Sequence, residues 1–215
     1  MLISEAGLII SGTYFGTHDE FEALNITSVF PDFSNSNVLV LNNFAGLVTN
    51  WAENVALTIG GIIPSAFYSK NLAFIKEMII PDATVDHFFQ YLDTVNKGTL
   101  IWFAIFDLEG GAINDIGSDA TAYGHRDALF YMQTYAVGVF GISPTTKGFV
   151  TGMNDIMSAA FPGQTLGAYA GYVDPQLSNA QQAYFGSNLQ RLEQFKSVID
   201  PNDIFHNPQS IRPSS

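Results

Sequence analysis

Two long runs of aromatic and β-branched residues, 99–108 and 129–139, constrain the fold of this 215-residue chain more than any other feature. Such side chains fit the pleated, half-buried surface of a sheet. A polar, Gly-rich connection separates the two runs, as is typical of long antiparallel strands. The sequence therefore predicts that these two strands form the centre of a sheet.

Helical patterns lie on either side of these strands. Residues 84–96 and 144–160 carry apolar side chains at helical spacing, and residues 166–173 form a short strand candidate. Mixed strands and helices without an internal repeat favour the α+β class. We therefore predict a mainly antiparallel β-sheet covered by α-helices on one face.

The N-terminal part of the chain shows two strand-then-helix patterns. The first has a strand candidate at 8–15 and a capping box at Thr17 and Glu20, which opens a short helix. The second has a strand candidate at 38–41, followed by a helix. The residues that share one apolar face of this helix are Phe44, Leu47, Val48, Trp51 and Val55.

Charge and composition exclude several classes of function. With eight Lys and Arg residues and a net charge of −12, the chain lacks the basic clusters that bind phosphate backbones or anionic lipid. It has no Cys, and its four His residues do not have the spacing of metal ligands. We predict no nucleic-acid partner, no membrane partner and no metal site. Residues 1–6 also lack the basic region of a signal peptide.

The C-terminal segment combines a helix with a polar tail. An amphipathic helix opened by Ser178 ends before the Asp-Pro pair at 200–201, and Gly186 is a candidate break within it. The residues that follow are rich in Asn, Asp, Pro, Gln and Ser, which predicts an extended tail laid over a surface. We therefore divide the chain into a substrate-binding domain at 1–177 and a C-terminal helix and tail at 178–215.

Residues 184–192 and 200–211 resemble the closing segment of the berberine-bridge-enzyme-like family of flavin oxidases. The resemblance extends upstream through residues 67–72, 102–111, 121–127 and 169–172. It implies the substrate domain of an FAD-dependent oxidase. Members of this family oxidise an alcohol group of a sugar or another small hydroxylated compound by hydride transfer to flavin, usually with oxygen as acceptor. Many relatives are secreted, so the resemblance also implies an extracellular protein.

The same resemblance assigns roles to individual residues. Tyr169 matches the base that takes the hydroxyl proton, and Gln133 matches the residue that faces substrate from a neighbouring strand. Trp102 would be a substrate platform. Tyr172 matches the second tyrosine of the family's Tyr-x-Asn-Tyr pattern, in which this chain has Gly171, and would also contact substrate.

Strand alternation limits how these residues can meet. If the strand faces coincide, Trp102, Gln133 and Tyr169 form one aromatic wall for a ring-shaped substrate. Strict alternation places Tyr172 opposite Tyr169, unless a bulge beside Gly171 re-aims it. A packing role for these tyrosines is the alternative interpretation.

The remaining motifs concern the cofactor and the turns of the fold. The resemblance assigns cofactor contacts to Asn207 and Gln209 in the tail, but no Gly-rich nucleotide fingerprint is present, and the Gly pair at 110–111 predicts a strand turn. The His-Arg pair at 125–126 predicts a structural corner. We therefore expect the C-terminal half of a family member, which is inactive alone and needs an N-terminal FAD-binding domain or subunit.

Two other classes of function stay open at this point. In the first, the same aromatic sheet face is a non-catalytic module that binds a carbohydrate or a protein. In the second, the chain is a globular domain without a site of its own.

Overall fold

The computed structural model forms two compact units, which are described separately. The residues that the structure describes are 1–30, 32, 35–54 and 65–214. One unit consists of Met1–Ile9 and Ser65–Ser215, and we call it the sheet unit; the other is Ile10–Pro64. Within the described ranges, no helix has the length and apolar character needed to cross a membrane.

The unit at Ile10–Pro64 contains the helices α1 (His18–Ala23) and α2 (Phe44–Asn54). The predicted capping box opens α1: the Glu20 N–H donates to Thr17 Oγ1 at 3.3 Å, and the Thr17 N–H donates to the Glu20 carboxylate at 2.7 Å. These two bonds satisfy backbone donors that the first helical turn leaves unpaired.

The strand predictions near the N-terminus are mostly wrong. Residues 38–41 belong to no strand, and their side chains are exposed. Of the strand predicted at 8–15, only the first residues are extended in a ladder. A short apolar run is ambiguous because it becomes a strand only where a neighbouring edge pairs with it. Val55, predicted to share the apolar face of α2, lies outside the described residues.

A five-stranded antiparallel sheet is the centre of the sheet unit. Its strands are β1 (Leu2–Ser4), β2 (Gly7–Ile9), β3 (Ala66–Ile75), β4 (Trp102–Leu108) and β5 (Ala128–Gly138). The order β2-β1-β4-β5-β3 places β4 and β5 in the interior and β3 at an edge. The predicted fold class and the two central strands are confirmed.

Two helices, α3 (Asp82–Thr94) and α4 (Pro144–Ala159), pack on one face of the sheet, as predicted. Ser143 begins α4, because its Oγ accepts a hydrogen bond from the Thr146 N–H at 3.0 Å. The buried side chains between helices and sheet include Phe74, Phe88, Trp102, Met132, Phe149 and Met153. We call this side of the sheet the helix-covered face.

Alternation along β5 separates this core from a second set of side chains. Met132 and Thr134 are directed to the helix-covered face, whereas Tyr131, Gln133 and Tyr135 are directed to the opposite side. We call that side the second face. The same alternation continues across β3 and β4 because the three strands are paired in register.

The C-terminal segment forms α5 (Ala180–Phe185), a 3₁₀ turn (Gly186–Asn188) and α6 (Leu189–Ile199). The break at Gly186 was predicted, and its φ of 52° lies in the left-handed region that favours glycine. The division of the chain at residue 177 stays a prediction.

Candidate active site

A loop that runs along the edge strand β3 carries two of the predicted site tyrosines. Residues 166–173 were predicted to form a strand, but they make a single isolated bridge, in which the Ala73 N–H donates to the Gly167 carbonyl at 2.8 Å. The prediction is wrong because side chains of β3, rather than its backbone, bind most of this segment. We call residues 167–176 the edge loop.

Polar side chains in the middle of β3 attach the edge loop to the sheet. Ser69 Oγ donates to the Val173 carbonyl at 2.5 Å, and Lys70 Nζ forms an ion pair with Asp174 Oδ2 at 2.7 Å. Asp174 is almost completely buried. Since Ser69 and Lys70 point to opposite faces of the strand, the loop is held on both sides of the sheet edge.

The amide of Asn71 binds the loop at the two tyrosines. Its Oδ1 accepts a hydrogen bond from the Tyr169 N–H at 2.7 Å, and its Nδ2 donates to the Tyr172 carbonyl at 2.5 Å. On the sheet, Asn71 pairs with Gln133 of β5. The loop tyrosines and Gln133 are thereby brought to the same face of the sheet.

Four tyrosines meet on the second face, and we call them the tyrosine cluster: Tyr123, Tyr131, Tyr169 and Tyr172. The rings of Tyr169 and Tyr172 are perpendicular, with centroids 5.1 Å apart, and the ring of Tyr131 is 5.5 Å from that of Tyr169. The hydroxyls of Tyr123 and Tyr131 are hydrogen-bonded at 2.8 Å. Tyr169 is 38% exposed whereas Tyr131 is 2% exposed, so Tyr169 is the more accessible of the two to solvent.

A turn, rather than a strand, brings the two loop tyrosines together. The Tyr172 N–H donates to the Tyr169 carbonyl at 3.0 Å, which overrides the alternation that would separate the side chains. A Cβ at Gly171 would overlap Cε1 of Tyr169, so a larger residue at this position would require the Tyr169 ring to move.

Carboxylates flank the tyrosine cluster. The Tyr172 hydroxyl donates to Asp107 Oδ2 at 2.7 Å; burial first, and then this bond, raises the pKa of Tyr172. Burial also raises the pKa of Tyr131 and of Tyr123. The pKa of Glu109 is raised by burial and by the neighbouring charge of Asp107. These three phenols are therefore neutral hydrogen-bonding groups at pH 7.

The predicted platform residue, Trp102, lies elsewhere. It is 3% exposed on the helix-covered face, and its ring packs perpendicular to Phe149 at 5.3 Å. Its Nε1–H donates to Glu5 Oε2 at 2.9 Å. Trp102 pairs with Ala136, which is directed away from the face of Gln133. Trp102 therefore does not share a face with Gln133 and Tyr169, and the prediction of a common aromatic wall is wrong.

In the tail, Gln209 fixes the edge loop. Its Nε2 donates to the Asp174 carbonyl at 2.7 Å, and its Oε1 accepts from the Tyr184 hydroxyl at 3.1 Å. Asn207 is exposed, and its Oδ1 accepts the Gln209 N–H at 2.9 Å. A mainly apolar cleft of about 640 Å³ lies between tail and loop. Cofactor contacts from Asn207 and Gln209 stay predictions.

The block around Arg126 is a structural corner, as predicted. Asn114 Nδ2 donates to the Arg126 carbonyl at 2.5 Å, and the guanidinium stacks on the Tyr123 ring at 4.9 Å. Between β4 and β5, residues 110 and 111 both have positive φ, and a 3₁₀ turn follows rather than a helix. This geometry provides no helix N-terminus for a phosphate. No group of potential metal ligands occurs in the described part of the chain.

Sequence reasoning missed three residues that shape this site: Ser69, Asn71 and Asp107. A signal for the first two was present, since polar side chains interrupt an apolar stretch in the middle of β3. Polar groups in a buried strand need hydrogen-bond partners, and here the partners are backbone groups of the edge loop.

Comparisons with known proteins match this arrangement. The family model described as "Berberine and berberine like" matches residues 168–212, which include both loop tyrosines and the tail. The FAD-linked oxidoreductase sorD of Penicillium rubens is 38% identical over 214 residues, which are 97% of this chain and 45% of that protein. This chain belongs to the berberine-bridge-enzyme-like family.

Two oligosaccharide oxidases show the extent of the family likeness. Chitooligosaccharide oxidase of Gibberella zeae is 29% identical over all of this chain and 46% of its own length. A solved chitooligosaccharide oxidase superimposes with a TM-score of 0.81, covering 100% of this chain and 48% of that one, at 28% identity. A solved glucooligosaccharide oxidase from Acremonium strictum, studied for its 6-S-cysteinyl, 8α-N1-histidyl FAD, has a TM-score of 0.65 at 26% identity and covers 81% of this chain and 39% of that one. This berberine-bridge-enzyme-like chain thus spans about half the length of the relatives it matches.

Proposed function

We propose that this chain supplies the substrate-facing part of an FAD-dependent oxidase that acts on an alcohol group of a small hydroxylated molecule, with a sugar or oligosaccharide as the first class to test. The proposal rests on the partly exposed Tyr169, whose backbone N–H is bound by Asn71, the cross-strand partner of Gln133, on a face of aromatic rings. The names of the relatives, which include chitooligosaccharide oxidase, support the substrate class.

In the proposed reaction, Tyr169 acts as a phenolate: it takes the hydroxyl proton of the substrate and becomes the neutral phenol, while Gln133 orients that hydroxyl through its amide. A bound FAD would supply the acceptor for the hydride that leaves the carbon bearing this hydroxyl, and oxygen is the proposed final acceptor. The exposed ring of Tyr169 is proposed to hold the apolar face of a sugar ring, while Asp107 fixes the position of Tyr172. The groups of this chain that would face a bound flavin are aromatic rings and an amide, and its glycine pair forms no phosphate cradle.

The FAD-binding part is therefore proposed to come from an N-terminal domain of a longer polypeptide or from a second subunit. Exposed apolar side chains on α6 and the tail support such a partner: Phe195, Val198, Ile199, Ile204 and Phe205. Apolar groups this numerous on one segment are typical of a surface that is covered in the assembled protein. The resemblance alone motivates an extracellular location, which is part of the same proposal.

The test compares this chain with a longer polypeptide that includes the FAD-binding part. The long form should carry flavin absorbance and consume oxygen with one or more members of a panel of oligosaccharides, whereas this chain alone should carry no flavin. In the long form, Tyr169→Phe should lower kcat by roughly 10²-fold or more, because a positioned general base contributes that much. A binding module without a redox step would bind the oligosaccharide equally well but show no oxygen consumption.

A further inference from the structure

Asn71 is a buried polar residue to which the proposed function assigns no role. It lies in the middle of β3 with 2% of its surface exposed, and an amide is costly to bury unless each of its polar atoms is paired. Both of its side-chain polar atoms are paired with backbone groups of the edge loop, one at Tyr169 and one at Tyr172.

The chemistry of these two contacts requires a carboxamide. The Tyr169 N–H can only donate and the Tyr172 carbonyl can only accept, so the side chain between them must accept at one atom and donate at the other. The orientation of the Asn71 amide is therefore fixed by its partners. A carboxylate lacks the donor, and an aliphatic side chain lacks both groups.

The two contacts enclose the turn that sets the direction of the tyrosine rings. Asn71 binds the turn at its first and last residues, and the Tyr169 ring packs over Gly171 inside it. Since Asn71 also pairs with Gln133 across the sheet, one residue connects the backbone of Tyr169 to the strand position that carries the Gln133 amide.

We propose that Asn71 is a positioning residue for Tyr169, setting the distance of its phenol from Gln133 and from a bound substrate. The proposal rests on the function proposed above. Other contacts, from Ser69 to Val173 and from Lys70 to Asp174, keep the rest of the loop attached when Asn71 is changed. Loss of Asn71 therefore displaces the tyrosines without releasing the loop.

The test uses Asn71→Leu in the longer, FAD-containing protein, with Asn154→Leu as the matched control. Asn154 is also a buried amide, but it binds Thr134 and the Val150 carbonyl on the helix-covered face. We expect Asn71→Leu to lower kcat by roughly 10²-fold with only a few-fold change in KM, because misplacement of a reacting group by about 1 Å costs that much. Asn154→Leu should keep its kcat. A loss of kcat of the same size in both variants, or in neither, overturns the proposal.

Hydrogen exchange separates failure of this proposal from failure of the proposed function. The Tyr169 amide should exchange faster in Asn71→Leu and at the wild-type rate in Asn154→Leu, whether or not any sugar is turned over. If Asn71→Leu does not fold, Asn71→Asp retains an acceptor for that amide and removes the donor to Tyr172. Unchanged Tyr169 exchange in Asn71→Leu overturns the proposal, as does a large loss of kcat in Asn71→Asp while the Tyr169 amide still exchanges at the wild-type rate.

Discussion

The hydroxyl of Tyr172, from the edge loop, donates to Oδ2 of Asp107 on β4 at 2.7 Å. The bond connects the loop to an interior strand, whereas the contacts of Ser69, Lys70 and Asn71 connect it to the edge strand. The loop is therefore fixed at two places on the sheet, and the position of Tyr172 depends on both.

Removal of this hydroxyl should weaken the folded state. Tyr172→Phe loses a hydrogen bond to a carboxylate, which is worth about 1.5 kcal/mol in the free energy of unfolding measured by urea titration. Tyr135→Phe is the control, because Tyr135 shares the second face but has no hydroxyl hydrogen bond in the described part of the chain. Equal losses in both variants would mean that the bond to Asp107 adds nothing.

Alkaline pH should destabilise the protein through the tyrosine cluster. Burial raises the pKa of Tyr131, Tyr123 and Tyr172 in the folded state, while unfolded tyrosines ionise near pH ~10. A raised folded pKa gives stability that is fully present below the unfolded pKa and is lost as the pH rises above it. The free energy of unfolding should therefore fall as the pH rises above ~10. Tyr131→Phe should make this fall shallower; an equal slope in that variant would contradict the assignment.

Trp102 should affect stability and not substrate binding. Trp102→Phe removes part of a buried ring and its hydrogen bond to Glu5, at a cost of roughly 1–2 kcal/mol in unfolding free energy. In the FAD-containing protein, KM for an oligosaccharide should be unchanged. A large rise in KM with unchanged stability would restore Trp102 as a substrate platform.

Lys196 should hold the C-terminal tail in place. Its Nζ forms ion pairs with Asp200 and, at 3.1 Å, with Asp203, and it donates a hydrogen bond to the Phe205 carbonyl at 2.6 Å. The Lys196 ammonium, together with backbone N–H groups of the tail, lowers the pKa of Asp200. The stability from this carboxylate is thus present above pH ~4 and lost as the pH falls further. Lys196→Met should speed proteolysis of the tail at neutral pH. It should also reduce the difference in hydrogen-exchange protection of the Ile204 amide between neutral and acidic pH.

A matched surface change checks this expectation. Lys76 is exposed and pairs with Glu77 at 3.7 Å, a contact of the kind that contributes little. Lys76→Met removes the same charge and should leave tail proteolysis as in the wild type. If both lysine variants are cleaved equally fast, net charge rather than the contacts of Lys196 explains the effect.

The sequence predicted those parts of the fold that depend on local patterns. The periodicity of α3 and α4, the aromatic runs of β4 and β5, the capping box at Thr17 and the break at Gly186 are all short-range signals, and the structure confirms them. The strand prediction at 38–41 was wrong because an apolar pattern does not show whether another strand is available to pair with it.

The candidate site was harder to predict because it depends on strand register and on a turn. Placing Trp102 beside Gln133 assumed that two strand faces coincide, and the observed pairing with Ala136 puts Trp102 on the other side. The proximity of Tyr169 and Tyr172 depends on a turn with Gly171, which strand alternation cannot represent. Catalytic and substrate-binding roles of Tyr169, Gln133 and Tyr172 stay predictions.

The edge loop also lies along the outer side of β3, which is the longer of the two edge strands of the sheet. On that side, the loop forms one backbone bridge to β3, at Gly167. An uncovered strand border is a template on which another chain can add a strand. Variants that detach the loop should therefore self-associate and give less soluble protein. The loop that carries Tyr169 and Tyr172 would then also protect the sheet against strand addition.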